Sequence, residues 1–327
     1  MSICMLLFPA SMLQELPFTS DEYQLIPSSD ELNKRCAWVP LGDHLSSLEK
    51  DLSDVDGNQY FTVRMDGKNF NQIYKELQQL GLFSPGIAVE YENIMVSVCS
   101  SLTNYFANVI YSYTQSDEIT LLFSSTLINK VSQCHEPHIF SGRHDKIVSL
   151  TASLASQYFC KQLIQMQLMK FPAATLTEEE NPFDHLPIVT FDARIAKFDT
   201  LKDAFQMVLW RSYDCSVNSA STALRLLYSS QKTCQMSKSD LNGLNTLKKV
   251  LLLHDENLLS QLTDHLKYGT LFYHGRDAAS VVLAASDNGT AASDVKVSKR
   301  KKISTQKIPG QTIVNVKEGG VYGVCTL

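Results

Sequence analysis

Two acidic residues stand where chemistry on phosphate could be done. The stretch Tyr60-Phe61-Thr62-Val63-Arg64-Met65-Asp66-Gly67 is an apolar run of strand length that ends on a carboxylate and a turn. Tyr113-Thr114-Gln115-Ser116-Asp117-Glu118 also places a carboxylate beside a turn. On adjacent strands, Asp66 and Asp117 can hold two Mg²⁺ ions against a nucleoside triphosphate. Hard cations take oxygen ligands, and such a pair clamps the attacking and leaving oxygens. Alone, the two residues read equally as turn formers, Asp66 opening a turn and Asp117 closing a hairpin.

The elements that must position them follow from periodicity. Tyr60–Met65 reads as a strand by its aromatic and β-branched content. Lys68–Leu80 reads as a helix, with Phe70, Ile73, Leu77 and Leu80 recurring on one face. Ser84-Pro85-Gly86 interrupts, and a longer helix over Val89–Ala107 follows. Val109–Tyr113 and Ile119–Phe123 form a hairpin, and Arg143–Met169 a long amphipathic helix. Leu176–Asp184 is an acidic loop, and Pro187–Phe191 a fourth strand. This order is the split βαβ, ferredoxin-like pattern: an α+β fold whose antiparallel sheet carries helices on one face. It sets Asp66 and Asp117 on neighbouring central strands. Residues 201–266 read as mainly helical, with Tyr268–Tyr273 a last strand. Residues 1–55 read as an irregular extension with one helix near His44–Leu52. A linker at Ala284–Thr290 precedes the basic run Lys299-Arg300-Lys301-Lys302, and Thr312–Val324 reads as a hairpin through Gly319-Gly320.

Composition bounds the class. The chain has 327 residues, 44% of them hydrophobic, enough for one large domain or two modest ones. No apolar run approaches the roughly 18 residues of a membrane span. No Lys or Arg precedes Lys34, which argues against a secretory or transit leader and for a cytoplasmic protein, with nuclear or mitochondrial residence left open. The eight cysteines are scattered without a Cys-x-x-Cys pair, which suggests reduced thiols. Cys134-His135-Glu136-Pro137-His138, with His144, matches no standard zinc spacing and reads as a polar loop. The net charge of −5 demands a local basic track if nucleic acid is bound. Candidates are Arg143, Lys146, Lys161, Lys170, Arg194, Lys197, Lys202, Arg211 and the run at 299–302; each reads equally as a solvated surface charge.

The Asp-Gly after the first strand and Ser116-Asp117-Glu118 resemble the tRNA-histidine guanylyltransferase family of 3′-to-5′ polymerases. Further landmarks come in the family's order: Phe70, Arg143-His144-Asp145-Lys146, Phe191-Asp192-Ala193-Arg194, Trp210-Arg211-Ser212-Tyr213-Asp214, Asn218, Leu241-Asn242-Gly243 and Tyr268-Gly269-Thr270. The resemblance spans about residues 58–275, a palm-like part to about 200 and a helical part beyond it, with a linker and basic tail over 276–327. It implies that Asp66 and Asp117 bind two Mg²⁺ ions with help from the Gly67 carbonyl, and that Glu118 supports them. It implies that Gly67, Lys68, Asn69, Phe70 and Ser116 meet a nucleotide, and that Arg143 and Lys146 face its triphosphate. Asn218, Lys248 and Lys249 would lie near a second triphosphate, although Asn218 reads equally as a helix cap. Arg194, Arg211 and Lys299, Arg300, Lys301 and Lys302 remain candidates for RNA.

Three departures sharpen the expectation. The family's His-Ile-Asn-Asn-Leu-Tyr-Asn stretch is replaced by Ser216-Val217-Asn218-Ser219-Ala220-Ser221-Thr222, which keeps one Asn and looks like the "like-protein" branch. That branch repairs truncated tRNA by templated addition. The family's Lys-Pro-Asn-Asp reads Ser84-Pro85-Gly86-Ile87 here, which weakens the case for efficient 5′-adenylylation, and its paired Arg-Arg reads Gly142-Arg143. The resemblance therefore implies an enzyme that takes GTP, ATP and other NTPs, acts on tRNA or structured RNA with an incomplete 5′ end, and assembles as a homotetramer. The alternatives are guanosine addition to histidine tRNA and a non-catalytic RNA-binding relative.

Overall fold

The computed structural model describes residues 35–106, 108–125, 137–170, 185–230, 243–244, 246–255, 258, 261–274 and 322–325. Helix α1, Arg35–Leu48, precedes strand β1, Tyr60–Gly67. Helices α2, Phe70–Gln79, and α3, Val89–Tyr105, lead to the hairpin β2, Val109–Gln115, and β3, Glu118–Phe123. Helix α4, His144–Lys170, and strand β4, Phe191–Phe198, complete the first half. Then come α5, Leu201–Ser230; α6, Thr246–Asp255; α7, Asp264–Tyr268; β5, Thr270–His274; and β6, Tyr322–Cys325.

The sheet order is β4-β1-β3-β2-β5, every pair antiparallel, with the short β6 added beside β5. The first four strands keep the ferredoxin-like order read from the sequence. Asp66 pairs with Glu118 on β3 and with Asp192 on β4, so three carboxylates share one row of one sheet face.

Alternation along β1 divides the core. Phe61, Val63 and Met65, with Ile119, Leu121, Phe123 and Ile195, face α2, α3 and α4. Leu122, Ala196, Phe198, Tyr113 and Leu271 face the other way, against Leu45 of α1 and Ala204, Phe205, Met207 and Val208 of α5. Helices thus cover both faces, whereas one helical face was expected. The long α5 supplies apolar residues to the second face and continues into a third cluster with α6 and the segment before α7, through Ala220, Ala223, Leu224, Leu253, Leu258 and Leu262.

Two elements differ in position from the expectation. The fourth strand is Phe191–Phe198 and not Pro187–Phe191. It is an edge strand, so Asp192 and Arg194 point to water and break the apolar run that marks a strand in sequence. Helix α1 starts earlier than His44 despite Pro40 and Gly42. The Gly42 Cα lies against the Trp210 indole, where a Cβ would sit 2.5 Å from Nε1. Residues 1–34, the whole expected loop Leu176–Asp184, the linker and the basic run lie outside the described residues, as does most of the expected Thr312–Val324 hairpin; Tyr322–Cys325 is a strand. Among the described residues no helix is long and apolar enough to cross a membrane.

Candidate active site

The acidic strand end and the β2–β3 turn are fastened together. Gly67 N–H donates to the Asp117 carbonyl at 3.0 Å. The turn needs a left-handed residue, and Ser116 takes that role with φ 54 while its hydroxyl donates to Asp117 Oδ1 at 3.0 Å. Gly67 has no room for a side chain, because the Phe70 ring lies against its Cα. Asp66 and Asp117 are each half-buried. Burial, then Asp192, pushes the Asp66 carboxyl above its ordinary range, and Arg64, Arg194 and Arg211 oppose this. Burial, then Asp66, pushes Asp117 up. Among the described residues neither carboxylate makes an ion pair, and no hydrogen bond reaches Asp66. Two mutually repelling carboxylates that no described side-chain cation pairs with suit a divalent metal that also takes oxygens from a substrate phosphate. Among the described residues no cluster of three or more His, Cys, Asp or Glu is placed to hold a metal by itself.

Behind this pair runs a buried ladder of alternating charge. Arg64 forks onto Glu49, Nε to Oε1 at 2.7 Å and Nη2 to Oε2 at 2.6 Å, and its Nη1 lies 3.7 Å from Glu118 Oε2. Arg211 forks onto both Glu118 oxygens at 2.5 Å each and reaches Asp214 Oδ2 at 3.1 Å. Its guanidinium also lies 4.5 Å from the Trp210 ring. Burial pushes Glu118 up, and Arg211 and Arg64 counter it. Both Glu118 oxygens are held by Arg211, so any support that Glu118 gives the acidic pair runs through that fork. One expectation changes. Arg211 is buried and fully engaged, so it is an internal strut and not part of an RNA-facing track. Such a forked pair fixes α5 to β3 with defined geometry.

Beside the acidic pair opens a cleft of about 280 Å³. Its acidic side is Asp66, Asp117 and Glu118 with Arg64 and Arg211; its neutral side is Gln115, Ser116, Asn218, Ser219, Thr222 and Leu266, and Cys215 also lines it. Asn218, one of the sequence candidates, thus lies in the cleft, where its Nδ2 approaches Asp214 Oδ2 at 3.4 Å. It is mid-helix on α5, so the helix-cap reading does not hold. Lys249 Nζ donates to Ser221 Oγ at 2.8 Å, which brings it to the α5 turn next to Asn218. Lys248 is exposed on the same helix, α6.

The loop from Gly67 enters α2 beside the carboxylates. Lys68 N–H is used by the Thr190 carbonyl, and Asn69 sits left-handed at φ 58 as the N-cap without a side-chain cap bond. A helix N-terminus next to an acidic metal site suits phosphate oxygens. Phe70 differs from the expectation of a nucleotide contact. It is 5% exposed and packs on Phe159, Phe191 and Tyr91 at 5.1–6.2 Å, so its ring belongs to the core.

Arg143 and Lys146 are exposed but lie at the other end of the sheet. Gly142 O accepts from Val55 N, and His144 N donates to Asp54, ahead of the start of β1. α4 reaches the level of Gly67 only at Ser156, whose Oγ accepts from Phe191 N, the register partner of Gly67. That is roughly three helical turns, about 18 Å, from His144. Arg143 and Lys146 therefore cannot face a triphosphate held by Asp66 and Asp117 of the same chain. Arg194 is exposed on the edge strand, 3.7 Å from Asp192, and Lys299–Lys302 lie outside the described residues. Of the Cys134–His144 group, Cys134, His135 and Glu136 lie outside them too; buried His138 bonds the Asp56 carbonyl, and His144 bonds Asp145.

Sequence reasoning missed Asp192, Arg64, Glu49, Gln115 and Tyr91. Asp192 stood in a quoted landmark without a role; the register now places it across from Asp66. The Tyr91 hydroxyl is pushed up by burial and by Asp117, and the Ser116 side chain opposes this. Nothing in the local sequence marks Glu49 or Tyr91 as neighbours of the site.

An antiparallel sheet with paired carboxylates at one strand end and a hairpin turn, opening on a polar cleft, has the form of a nucleotidyltransferase site. The family described as "Thg1: tRNAHis guanylyltransferase" matches residues 43–199 of the chain. The chain is 31% identical over 159 residues to the tRNA(His) guanylyltransferase of Debaryomyces hansenii, covering 49% of this chain and 51% of that protein. It is 26% identical over 210 residues to an uncharacterized protein of Acanthamoeba polyphaga mimivirus, covering 62% of this chain and 68% of that one. Among solved structures it resembles a bacterial tRNA(HIS) guanylyltransferase (Thg1)-like protein in complex with ATP, with TM-score 0.51 and 21% identity, covering 71% of this chain and 88% of that one. That likeness is one of fold. The chain spans about half the length of the yeast relative, 51%.

Proposed function

We propose that this chain is a template-dependent 3′-to-5′ nucleotidyltransferase that adds nucleotides to the 5′ end of truncated tRNA or tRNA-like RNA. The observation that carries the reading is the Asp66–Asp117 pair, tied by the Gly67–Asp117 hydrogen bond and without an ion pair among the described residues, at the mouth of a polar cleft. The sheet acts as a polymerase-like palm over about residues 58–200, and the helical part over 201–275 closes the cleft. Two Mg²⁺ ions on Asp66, Asp117 and the Gly67 carbonyl would lower the pKa of an attacking 3′-hydroxyl and balance the phosphoryl charge.

The chain's own groups do the rest. The α2 N-terminus, from Asn69 onward, orients triphosphate oxygens by backbone N–H groups, and Ser116 holds Asp117 in its rotamer. Asn218, with Lys248 and Lys249 behind it, takes a second nucleotide on the neutral side. GTP, ATP and other NTPs are the substrates, and the 5′ end is activated as a triphosphate or adenylylated monophosphate. The replacement at Ser216–Thr222 supports tRNA repair over strict guanosine addition. A homotetramer in the cytoplasm completes the proposal; light scattering tests the assembly.

The experiment is incubation of labelled 5′-truncated tRNA with Mg²⁺ and NTPs. Extension at the 5′ end supports the reading. A gel shift without extension would identify a binding protein instead. The family description favours a second reading, addition of a single guanosine to histidine tRNA, which the same products distinguish.

A further inference from the structure

Glu92 is a buried carboxylate far from the acidic pair in sequence. It lies in the first turn of α3 and is 8% exposed. Among the described residues no cation pairs with it. Its Oε1 accepts from the Thr263 hydroxyl at 2.8 Å. Thr263 is the N-cap of α7, and its Oγ1 accepts from Leu266 N at 3.0 Å. A hydroxyl has one proton to give, so these two bonds fix its orientation. The Leu266 carbonyl accepts from Gln115 Nε2 at 2.6 Å, and Gln115 Oε1 accepts from the Tyr113 hydroxyl at 2.7 Å. Gln115 and Leu266 are both walls of the cleft. Gly269 follows at φ 74, pressed against the Tyr113 hydroxyl with no space for a Cβ. A chain of hydrogen bonds, joined through the Leu266 backbone, therefore runs from Glu92 to the neutral side of the cleft.

We propose that Glu92 is a positioning residue: it seats the Thr263 cap, and through Leu266 and Gln115 sets the cleft wall against which the incoming nucleotide lies. This deepens the nucleotidyltransferase reading and rests on it. Burial pushes the carboxyl up to about 7, and in either protonation state an oxygen remains to accept from Thr263. The acceptor, and not the charge, is what holds the wall. Glu92→Gln keeps an acceptor of the same length, and Glu92→Leu removes it. Thr263→Val deletes the donor at nearly constant volume, and Thr263→Ser restores it.

The test measures kcat and KM for the incoming NTP in 5′ addition by the full-length protein, with GTP binding measured separately by fluorescence and folding checked by thermal melts. We expect Glu92→Leu and Thr263→Val each to raise KM and the GTP dissociation constant about tenfold with kcat little changed, the pattern of lost uniform binding. Glu92→Gln and Thr263→Ser should return both to within about twofold of wild type. A folded Thr263→Val protein with wild-type KM and GTP affinity overturns the inference, as does a Glu92→Gln protein as impaired as Glu92→Leu. If Glu92→Leu does not fold, the Thr263 pair decides alone. A wild-type protein that binds GTP but adds no nucleotide defeats the functional reading while the binding arm still judges the wall.

Discussion

Replacing Glu92 by Gln should make the protein more stable at alkaline pH and leave it unchanged at acid pH. The carboxyl is raised from 4.5 to about 7, with burial the main cause and the Thr263 hydrogen bond opposing it. A carboxyl that binds its proton more tightly when folded adds stability below the unfolded pKa and loses it as pH rises through the folded one. In wild type the loss should fall between about pH 4.5 and pH 7. At about 1.4 kcal/mol per unit, a shift of roughly 2.5 units is worth about 3 kcal/mol. Gln accepts from Thr263 without titrating. Urea unfolding of both proteins across pH 4–9, read as their difference, removes the contribution of every other titrating group. We expect the difference to be near zero at about pH 4 and to grow to about 3 kcal/mol in favour of Glu92→Gln by about pH 8. A difference that is flat with pH, or that favours wild type at pH 8, refutes the burial argument.

Three further outcomes follow from the same geometry. Asp66→Ala and Asp117→Ala should each lower nucleotide addition by at least about a thousandfold while melting within a few degrees of wild type, because a cleft carboxylate is removed without opening a core cavity; near-normal turnover in either would end the two-metal proposal. Arg211→Met should destabilise by about 3–5 kcal/mol because it leaves Glu118 buried without its fork, and the double variant with Glu118→Leu should recover most of that in chemical denaturation. Truncation after residue 285 should weaken RNA binding and flatten its salt dependence without changing which nucleotide is added, since cations that contact phosphates read no bases; an unchanged salt slope would show that Lys299–Lys302 do not touch RNA.

Local pattern carried the core of the fold. β1, the β2–β3 hairpin, α2, α3 and α4 were legible because each has its own period and its own turn, and the Asp66 and Asp117 juxtaposition followed from strand order. Elements whose stability comes from distant partners were not. α1 carries Pro40 and Gly42, poor helix formers that packing against Trp210 tolerates. β4 was displaced because its polar residues face the open edge of the sheet. Glu118 was legible as a supporting carboxylate, but the Arg211 fork that holds both its oxygens, far along the chain, was not. Arg143 and Lys146 kept the right order in sequence, yet the length of α4 carries them to the far end of the sheet. Spacing in the chain orders residues; only the register and helix length tell which of them meet.

The most direct test of templated 5′ addition uses a set of 5′-truncated tRNAs that differ only in the base opposite the first missing nucleotide. Each is incubated with wild-type protein, Mg²⁺ and all four NTPs, and the added nucleotide is sequenced. We expect the added base to change with its partner, following Watson–Crick pairing in every member of the set, and addition to stop when Mg²⁺ is chelated. Addition of guanosine alone whatever the opposing base, or no addition to any of the RNAs, would contradict it.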